Sequence, residues 1–374
     1  MIVNLKYKLY KSDKIKRIES LNKTACIIWN HITALQRRYY KLYGKYINTN
    51  KIQKHIARLR KKNFFWKKLN SQSVQELCQR HDQSYQAFFK YCKNRKGPKK
   101  RPPKFKAIRN FNSFCFKNTG WKIEENKVTI NKIGTFGFHK SRDYENIKRL
   151  RFKKDGLGDY YLVLTCNTDL KKYKREGNSS IGMDFGLRTF LTCNDGKEIE
   201  SPQFFKKHLK ELRVLNKKFS RKKKGSNNGK KALKALVRKH KQIKNKRDDF
   251  HWKLAHVLCK HNSFIAIEDL HLAGMKKLWG RKVSDLAFSD FVLKLEYVAT
   301  KYDTVIQKIG RFYPSSKLCE CGVKNTELSL KDRKWLCTSC GSTNDRDLLA
   351  ARNILTEGIR LYRTKCKTSV LEAI

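Results

Sequence analysis

Hydrophobic and polar positions change period several times along the chain. Ile2, Val3, Leu5, Tyr7 and Leu9 run near a period of two, which predicts a strand within 1–10. Ser12 and Asp13 then offer capping oxygens. Ile15, Ile18, Leu21, Cys26, Trp29, Ile32 and Leu35 follow at close to helical spacing. Two more helices are expected at about 51–62 and 71–93, the second turning Val74, Leu77, Cys78, Tyr85, Phe88 and Phe89 toward a core. Lys96-Gly97-Pro98 and Arg101-Pro102-Pro103-Lys104 then hold three of the five prolines. Proline cannot continue a helix and restricts the residue before it, so a boundary is expected at 96–104.

Short β-type runs follow at Ser113–Phe116, Lys127–Ile130, Thr135–Phe138, Leu150–Phe152 and Tyr160–Thr165, with a hairpin turn at Lys154-Asp155-Gly156. They predict a small β-barrel or sandwich that includes the N-terminal strand, with the helical stretch inserted into it. From Ser179 the pattern shifts again. Strands are expected at Ile181–Asp184 and Thr189–Cys193, and a basic helical region over about 204–261 broken near Gly225–Gly229. A buried strand at Phe264–Glu268, a helix at Phe288–Lys301, a strand at Thr304–Ile309 and a last helix over about Asp347–Gly358 complete the pattern. Strands alternating with helices argue for an α/β layer structure.

Charge changes the picture most. The 374 residues include 87 Lys and Arg against 32 Asp and Glu, a net charge of +55. Such an excess repels itself unless a polyanion neutralises it, and nucleic acid is the natural partner. With 39% hydrophobic residues the chain can still bury a core. Aromatic and basic residues interleave at Arg38-Tyr39-Tyr40-Lys41, Phe64-Phe65-Trp66-Lys67 and Arg311-Phe312-Tyr313. Such stretches either stack on bases or fill a core beneath a charged face. The run Arg221, Lys222, Lys223 and Lys224 is expected to face nucleic acid. There is no run of about 18 apolar residues and no signal-peptide pattern, so a cytoplasmic protein without membrane contact is expected. Neither a phosphate-cradling G-x-x-x-x-G-K-[ST] loop nor a His-Glu-x-x-His pair is present, which argues against ATP-driven or zinc-protease chemistry.

Three carboxylates stand at the rims of apolar elements. Asp184 ends Ile181-Gly182-Met183-Asp184, Glu268 ends Phe264-Ile265-Ala266-Ile267-Glu268, and Asp347 opens an Ala/Leu-rich helix. Adjacent strands would bring the first two together, and the helix start would add the third. Clustered carboxylates raise one another's pKa, and a hard divalent cation, Mg²⁺ or Mn²⁺, relieves the repulsion. Taken singly, each acid reads more readily as a cap or a surface residue.

Of twelve cysteines, eight are scattered, and most of these read as small buried hydrophobes. Cys319, Cys321, Cys337 and Cys340 are clustered, with a glycine after each pair, and suit a closed structural Zn²⁺ site. The first pair has one intervening residue where two or more are usual.

Gly182-Met183-Asp184-Phe185-Gly186-Leu187, Ile265-Ala266-Ile267-Glu268-Asp269-Leu270 and Asp345-Arg346-Asp347 with Ala350-Ala351-Arg352-Asn353-Ile354 resemble the three RuvC-like motifs of the TnpB family. These are transposon-encoded, RNA-guided DNA endonucleases related to compact type V CRISPR effectors. Phe312-Tyr313-Pro314-Ser315-Ser316-Lys317-Leu318-Cys319 is similar to the family's lead into its zinc ribbon, and Pro103-Lys104-Phe105-Lys106 fits its N-terminal half.

The resemblance implies a multidomain α+β protein. A β-barrel wedge domain (1–10 and 105–176) would be interrupted by a helical recognition insertion (11–104). An RNase H-like, RuvC-type α/β nuclease domain (177–314 and 344–374) would carry an inserted zinc ribbon (315–343). It further implies catalytic Mg²⁺ or Mn²⁺ held by Asp184, Glu268 and Asp347, a guide RNA from the transposon end, double-stranded target DNA with a short adjacent motif, and nucleic-acid contacts at Lys104 and Lys106. The chain departs from the family at the short Cys319–Cys321 spacing and at Leu349, where asparagine is usual. Two other readings stay open: an RNA-guided DNA binder that does not cut, and a non-enzymatic zinc-ribbon RNA-binding protein.

Overall fold

The computed structural model describes residues 1–371 apart from 96, 118, 170, 330 and 331, with side chains undescribed at 273 and 367–371. Lys96 of the expected breaker and residues 372–374 of the expected C-terminal segment therefore lie outside the described residues. The protein is a mixed α+β chain of two compact units, Met1–Asp169 and Leu170–Ile374.

The first unit begins with β1 (Ile2–Lys8), then α1 (Ile15–Tyr43), α2 (Thr49–Lys62), α3 (Phe64–Lys67) and α4 (Ser71–Asn94). Asparagine starts three of these helices. Asn48, Asn63 and Asn70 each accept a backbone N–H of the first turn, which satisfies a donor the helix leaves open. Ile18, Leu21, Cys26, Trp29 and Ile32 form the buried stripe of α1, as the spacing predicts. In α4 the buried face is Val74, Leu77, Cys78, His81 and Tyr85, while Phe89 turns to solvent.

Six strands follow: β2 (Ser113–Phe116), β3 (Trp121–Glu124), β4 (Lys127–Ile130), β5 (Gly134–Gly137), β6 (Ile147–Lys154) and β7 (Tyr160–Asn167). They make one sheet of order β1-β7-β6-β2 and a separate meander β3-β4-β5. The helices therefore lie between two strands of one sheet.

The expected barrel is not closed among the described residues. The meander pairs only within itself and meets β1 through an isolated Leu9–Phe138 bridge, with Tyr10 N–H donating to the Gly137 carbonyl at 2.9 Å. Phe114, Phe116, Phe136, Phe138 and Phe152 belong to the buried core of this unit. Large rings occupy the interior without a continuous hydrogen-bonded wall around them.

The second unit is built on a five-stranded sheet, order β10-β9-β8-β11-β12. Its strands are β8 (Ser179–Phe185), β9 (Thr189–Cys193), β10 (Glu198–Glu200), β11 (Asn262–Glu268) and β12 (Val305–Ile309). The first three form an antiparallel meander, and β11 and β12 run parallel to β8.

Between β10 and β11 lie α5 (Phe204–Lys207), α6 (Leu209–Ser220) and the 35-residue α7 (Asn227–His261). Between β11 and β12 lie α8 (Leu272–Leu286) and α9 (Phe288–Tyr302). Apolar residues of α7 and α9, with Met183, Phe185, Ile265 and Ile267, make the core on one face of the sheet. Strand side chains alternate between faces, so Gly182, Asp184, Ala266 and Glu268 point to the other face. That face is covered by α10 (Arg346–Leu371). A hairpin of β13 (Lys334–Leu336) and β14 (Thr343–Asp345) precedes α10 and carries part of the cysteine cluster.

Candidate active site and metal centre

Parallel pairing sets the first two acids side by side. Ile267 is the register partner of Met183, so Glu268 and Asp184 follow one step later at the carboxyl ends of β11 and β8. Both ends are where open α/β sheets place their ligands. The third acid arrives through a close approach of backbones. A β-carbon on Gly182 would lie 2.2 Å from the carbonyl oxygen of Ala351, and one on Gly358 would lie 2.6 Å from the Ala266 β-carbon. Glycine at 182 and 358 therefore lets α10 lie directly on β8 and β11, with Asp347 in its first turn.

Within Asp345-Arg346-Asp347 the two acids have different jobs. The Asp345 carboxylate accepts the backbone N–H groups of Asp347 and Leu348, both at 3.1 Å, and so caps α10. Asp347 is left free of the cap, and its charge acts on Asp184. Similarly, Asp269 is engaged by Arg311, whose guanidinium donates to its carboxylate at 2.8 Å and to its carbonyl at 3.2 Å. Glu268 keeps its own carboxyl free of that pair.

The electrostatics report the crowding. Burial and then the Asp347 charge push the Asp184 carboxyl up to about 6, against the pull of Arg346 and Arg333. Burial, then Asp184 and Asp269, push Glu268 up to about 7. Carboxyls raised in this way at strand ends fit a hard divalent cation, whose charge favours their ionised form. The three acids are not gathered tightly enough to count as one ion's ligand set: among the described residues only the four cysteines are. The Asp347 carboxylate is instead drawn to Arg333, whose Nη1 lies 2.5 Å from Oδ2.

Arg333 was not singled out from the sequence. It stands at the edge of β13, and its carbonyl accepts the Arg346 N–H at 2.8 Å. Its only sequence signal is a basic residue a few positions before the second cysteine pair.

The four cysteine sulfurs lie within 4.8 Å of one another, with Cys319–Cys340 and Cys321–Cys337 both at 3.6 Å. Sulfurs about 2.3 Å from a tetrahedral zinc would be separated by roughly 3.8 Å, so the set fits Zn²⁺ despite the short first spacer. The Ser342 hydroxyl lies 3.3 Å from Cys319 Sγ and 3.1 Å from Cys340 Sγ. That contact lowers Cys319 to about 6 and also lowers Cys340, favouring the thiolate that binds metal.

Leu349 is buried with Cys319, Leu328, Trp335 and Cys337, so the departure from asparagine gives the cysteine insert an apolar seat on α10. Asn353 holds the start of the insert, donating to the carbonyls of Ser315 at 2.7 Å and Leu318 at 2.6 Å.

The candidate nucleic-acid contacts lie elsewhere. Arg221, Lys222, Lys223 and Lys224 form an exposed loop between α6 and α7. Residues 103–106 lie along α1, where Asn30 exchanges hydrogen bonds with the backbone of Lys106 at 2.8 and 2.9 Å, and Trp29 Nε1 donates to the Lys104 carbonyl. The Lys106 ammonium sits 4.1 Å from the centre of the Trp29 ring, while Lys104 is exposed.

The fold and these two clusters define a mixed α+β protein with a carboxylate centre and a cysteine centre in one unit. Comparison with known proteins narrows this. The family described as a probable transposase of the IS605 OrfB type matches residues 162–278, and the Cas12f1-like TNB domain matches residues 288–354.

A Streptomyces pristinaespiralis protein provisionally named an RNA-guided DNA endonuclease is 34% identical over 209 residues, 55% of this chain and 52% of that protein. A similarly named Escherichia coli K12 protein, InsQ, is 24% identical over 89% of this chain and 87% of its own length. TnpB-like protein L79 of Acanthamoeba polyphaga mimivirus is 28% identical over 54% of this chain and 41% of its own. The match thus spans about half of the Streptomyces protein and most of the E. coli one. A solved Cas12f1–sgRNA–target DNA complex shares the fold at a TM-score of 0.58 and 15% identity, covering 92% of this chain and 83% of that one. By these matches the chain is similar to proteins named TnpB-like or RNA-guided DNA endonucleases.

Proposed function

We propose that this protein is an RNA-guided DNA endonuclease that cuts target DNA by metal-dependent phosphodiester hydrolysis. The observation that carries the reading is the convergence of Asp184, Glu268 and Asp347, from β8, β11 and α10, on one face of one sheet. Relatives named as RNA-guided DNA endonucleases support it, and so does the net charge of +55, which needs a polyanionic partner.

The sheet order, with a three-stranded antiparallel meander followed by two parallel strands, supports reading this part as an RNase H-like domain of the RuvC type. We assign it to 177–314 and 344–374, with a zinc ribbon at 315–343. We assign a wedge domain to 1–10 and 105–176, and a helical recognition insertion to 11–104. The partners are a guide RNA from the transposon end and double-stranded target DNA. Sequence is read by base pairing, while the protein contacts backbone shape. Lys104, Lys106 and the Arg221–Lys224 loop are the candidate nucleic-acid contacts, with Lys106 already engaged by Trp29.

Asp184, Glu268 and Asp347 would hold Mg²⁺ or Mn²⁺, which supplies an activated water and stabilises the leaving oxygen. The chain's own residues set the stage. β8 and β11 fix two carboxylates, Asp345 caps the helix that delivers the third, and Arg333 holds a positive charge beside it. Cys319, Cys321, Cys337 and Cys340 would hold a structural Zn²⁺ that keeps the hairpin bearing Arg333 in place.

An RNA-guided binder that does not cut is the second reading, favoured by the Arg333–Asp347 pair, which already neutralises one of the acids. Plasmid cleavage with Mg²⁺ and a matched guide, comparing the native protein with Asp184→Ala, separates the two. Cleavage abolished by the substitution supports the nuclease. An inert native protein that still binds its target supports the binder. Sequencing the RNA that copurifies tests the guide: one abundant species with a variable end is expected, and a random cellular mixture would overturn it.

A further inference from the structure

At the carboxyl end of β8, beyond Asp184, the chain turns through Gly186, Leu187 and Arg188 into β9. Leu187 and Arg188 form one wall of a cavity of about 440 Å³. The other walls are the segment around Ser201–Lys206 and the end of α8. Four cations line it: Arg188, Lys206, Arg281 and Lys282, all exposed. The single acid in the lining, Asp285, is already occupied. Its carboxylate accepts the backbone N–H of Phe205 at 2.9 and 3.0 Å and that of Lys206 at 3.4 Å. The cavity therefore presents several positive charges with no free carboxylate among its lining residues, and low-dielectric walls concentrate that field.

The walls are also fixed. α8 leaves helical geometry at Trp279, with φ −127° and ψ 36°, and the segment beyond carries Arg281 and Lys282. That segment is held by the Asp285 bonds, by Arg247 donating to the carbonyls of Ser284 at 3.3 Å and Asp285 at 3.1 Å, and by buried Leu286. Arg188 is four residues past Asp184, so its Cα lies within about 14 Å of the acid by chain reach. That span is about four nucleotides at the ~3.4 Å rise of one DNA strand.

We propose that this cavity is a phosphate-binding subsite. It holds the backbone of the DNA strand being cut, a few nucleotides from the scissile bond, with Arg188 and Arg281 as its main positioning residues. The proposal rests on the nuclease reading for its purpose, and its test is separable from that reading. Arginine suits the role because its planar fork meets phosphate oxygens two at a time.

The test places a photoreactive benzophenone residue at Ser201, in the lining, in Asp184→Asn protein so that no cutting intervenes. The probe is a fluorescent deoxythymidine decamer. The crosslink is expected in the parent, to fall at least fivefold in Arg188→Ala/Arg281→Ala, and to persist in Lys277→Ala, which removes a charge from α8 outside the cavity. A parent that does not crosslink, or a double variant that crosslinks as well as the parent, overturns the subsite. Thermal melting of each variant confirms folding. In cutting-competent protein the double variant is expected to raise KM for DNA about tenfold with kcat within about twofold. It should also lower the salt slope of binding by about 1.4, as loss of two single-strand phosphate contacts requires. An unchanged KM overturns the positioning role. Native protein that never cuts would overturn the nuclease reading and leave the crosslink result to decide the subsite.

Discussion

The β-carbon that Gly182 lacks would lie 2.2 Å from the carbonyl oxygen of Ala351, closer than any real contact. Leu355 crowds the same position, its backbone nitrogen and its β-carbon both at 2.7 Å. Asp184 lies two positions after Gly182 on the same face of β8, and Ala351 lies one helical turn after Asp347 in α10. The absent side chain therefore sets how far apart two of the three acids can be.

Gly182→Ala tests this directly. Because the obstruction is backbone, α10 must move outward. We expect a loss of about 1–3 kcal/mol in stability, as for overpacked cores, and at least a hundredfold loss of cleavage. Chemical denaturation and a cleavage time course measure both. Unchanged cleavage would mean that the helix-to-strand approach does not position Asp347.

The raised carboxyls give the metal-free protein a defined pH dependence. With its folded pKa near 6 against 3.8 unfolded, Asp184 binds its proton more tightly in the folded state. Its protonated form is therefore compatible with burial at low pH, and stability is lost as pH rises from about 4 through 6. Glu268 adds a second loss between about 4.5 and 7. In chelator, Asp184→Asn is expected to melt higher than the native protein at pH 8, by about 1–3 kcal/mol, with the gap closing near pH 4. Added Mg²⁺ should stabilise the native protein and leave the variant nearly unaffected. Equal melting at pH 8 in chelator would show that the carboxylates are not crowded.

Much of this site was legible because strand ends announce themselves. The runs ending at Asp184 and Glu268 are short and apolar, and parallel pairing does the rest. The rest was hidden for physical reasons. α8 was missed because Gly274 and Gly280 interrupt its periodicity, and it bends at Trp279. Phe89 looked like core because it continues the apolar stripe of α4, yet it stands at the exposed end of that helix. The barrel expectation missed β3 and could not see that β3, β4 and β5 pair only among themselves. Arg333 could not be read at all, since its partner is 14 residues away across a hairpin and a helix start.

The cysteine cluster reaches the acids through three contacts: Leu349 in the apolar seat, Asn353 on the Ser315 and Leu318 carbonyls, and Arg333 on Asp347. Cys337→Ser is therefore expected to lower bound zinc from about one per chain to less than about one half. It should also reduce cleavage at least tenfold while leaving guide RNA binding within twofold. Metal analysis, cleavage and filter binding read the three quantities. Full cleavage by a zinc-depleted variant would detach the insert from the chemistry.

Arg333 offers the sharpest distinction between a structural and an electrostatic role. Its guanidinium neutralises Asp347 and also pulls down the Asp184 carboxyl. A lysine there keeps the charge and loses the planar fork; a methionine keeps the bulk and loses the charge. If the charge matters, Arg333→Met should cut cleavage at pH 7 by at least tenfold and Arg333→Lys by less than about threefold. Both variants should melt within about 1 kcal/mol of the native protein, because a pair this exposed contributes little to stability. Equal losses in the two variants would assign Arg333 to geometry alone. Faster cutting by Arg333→Met would mean that the arginine holds Asp347 back, and that its release must precede cutting.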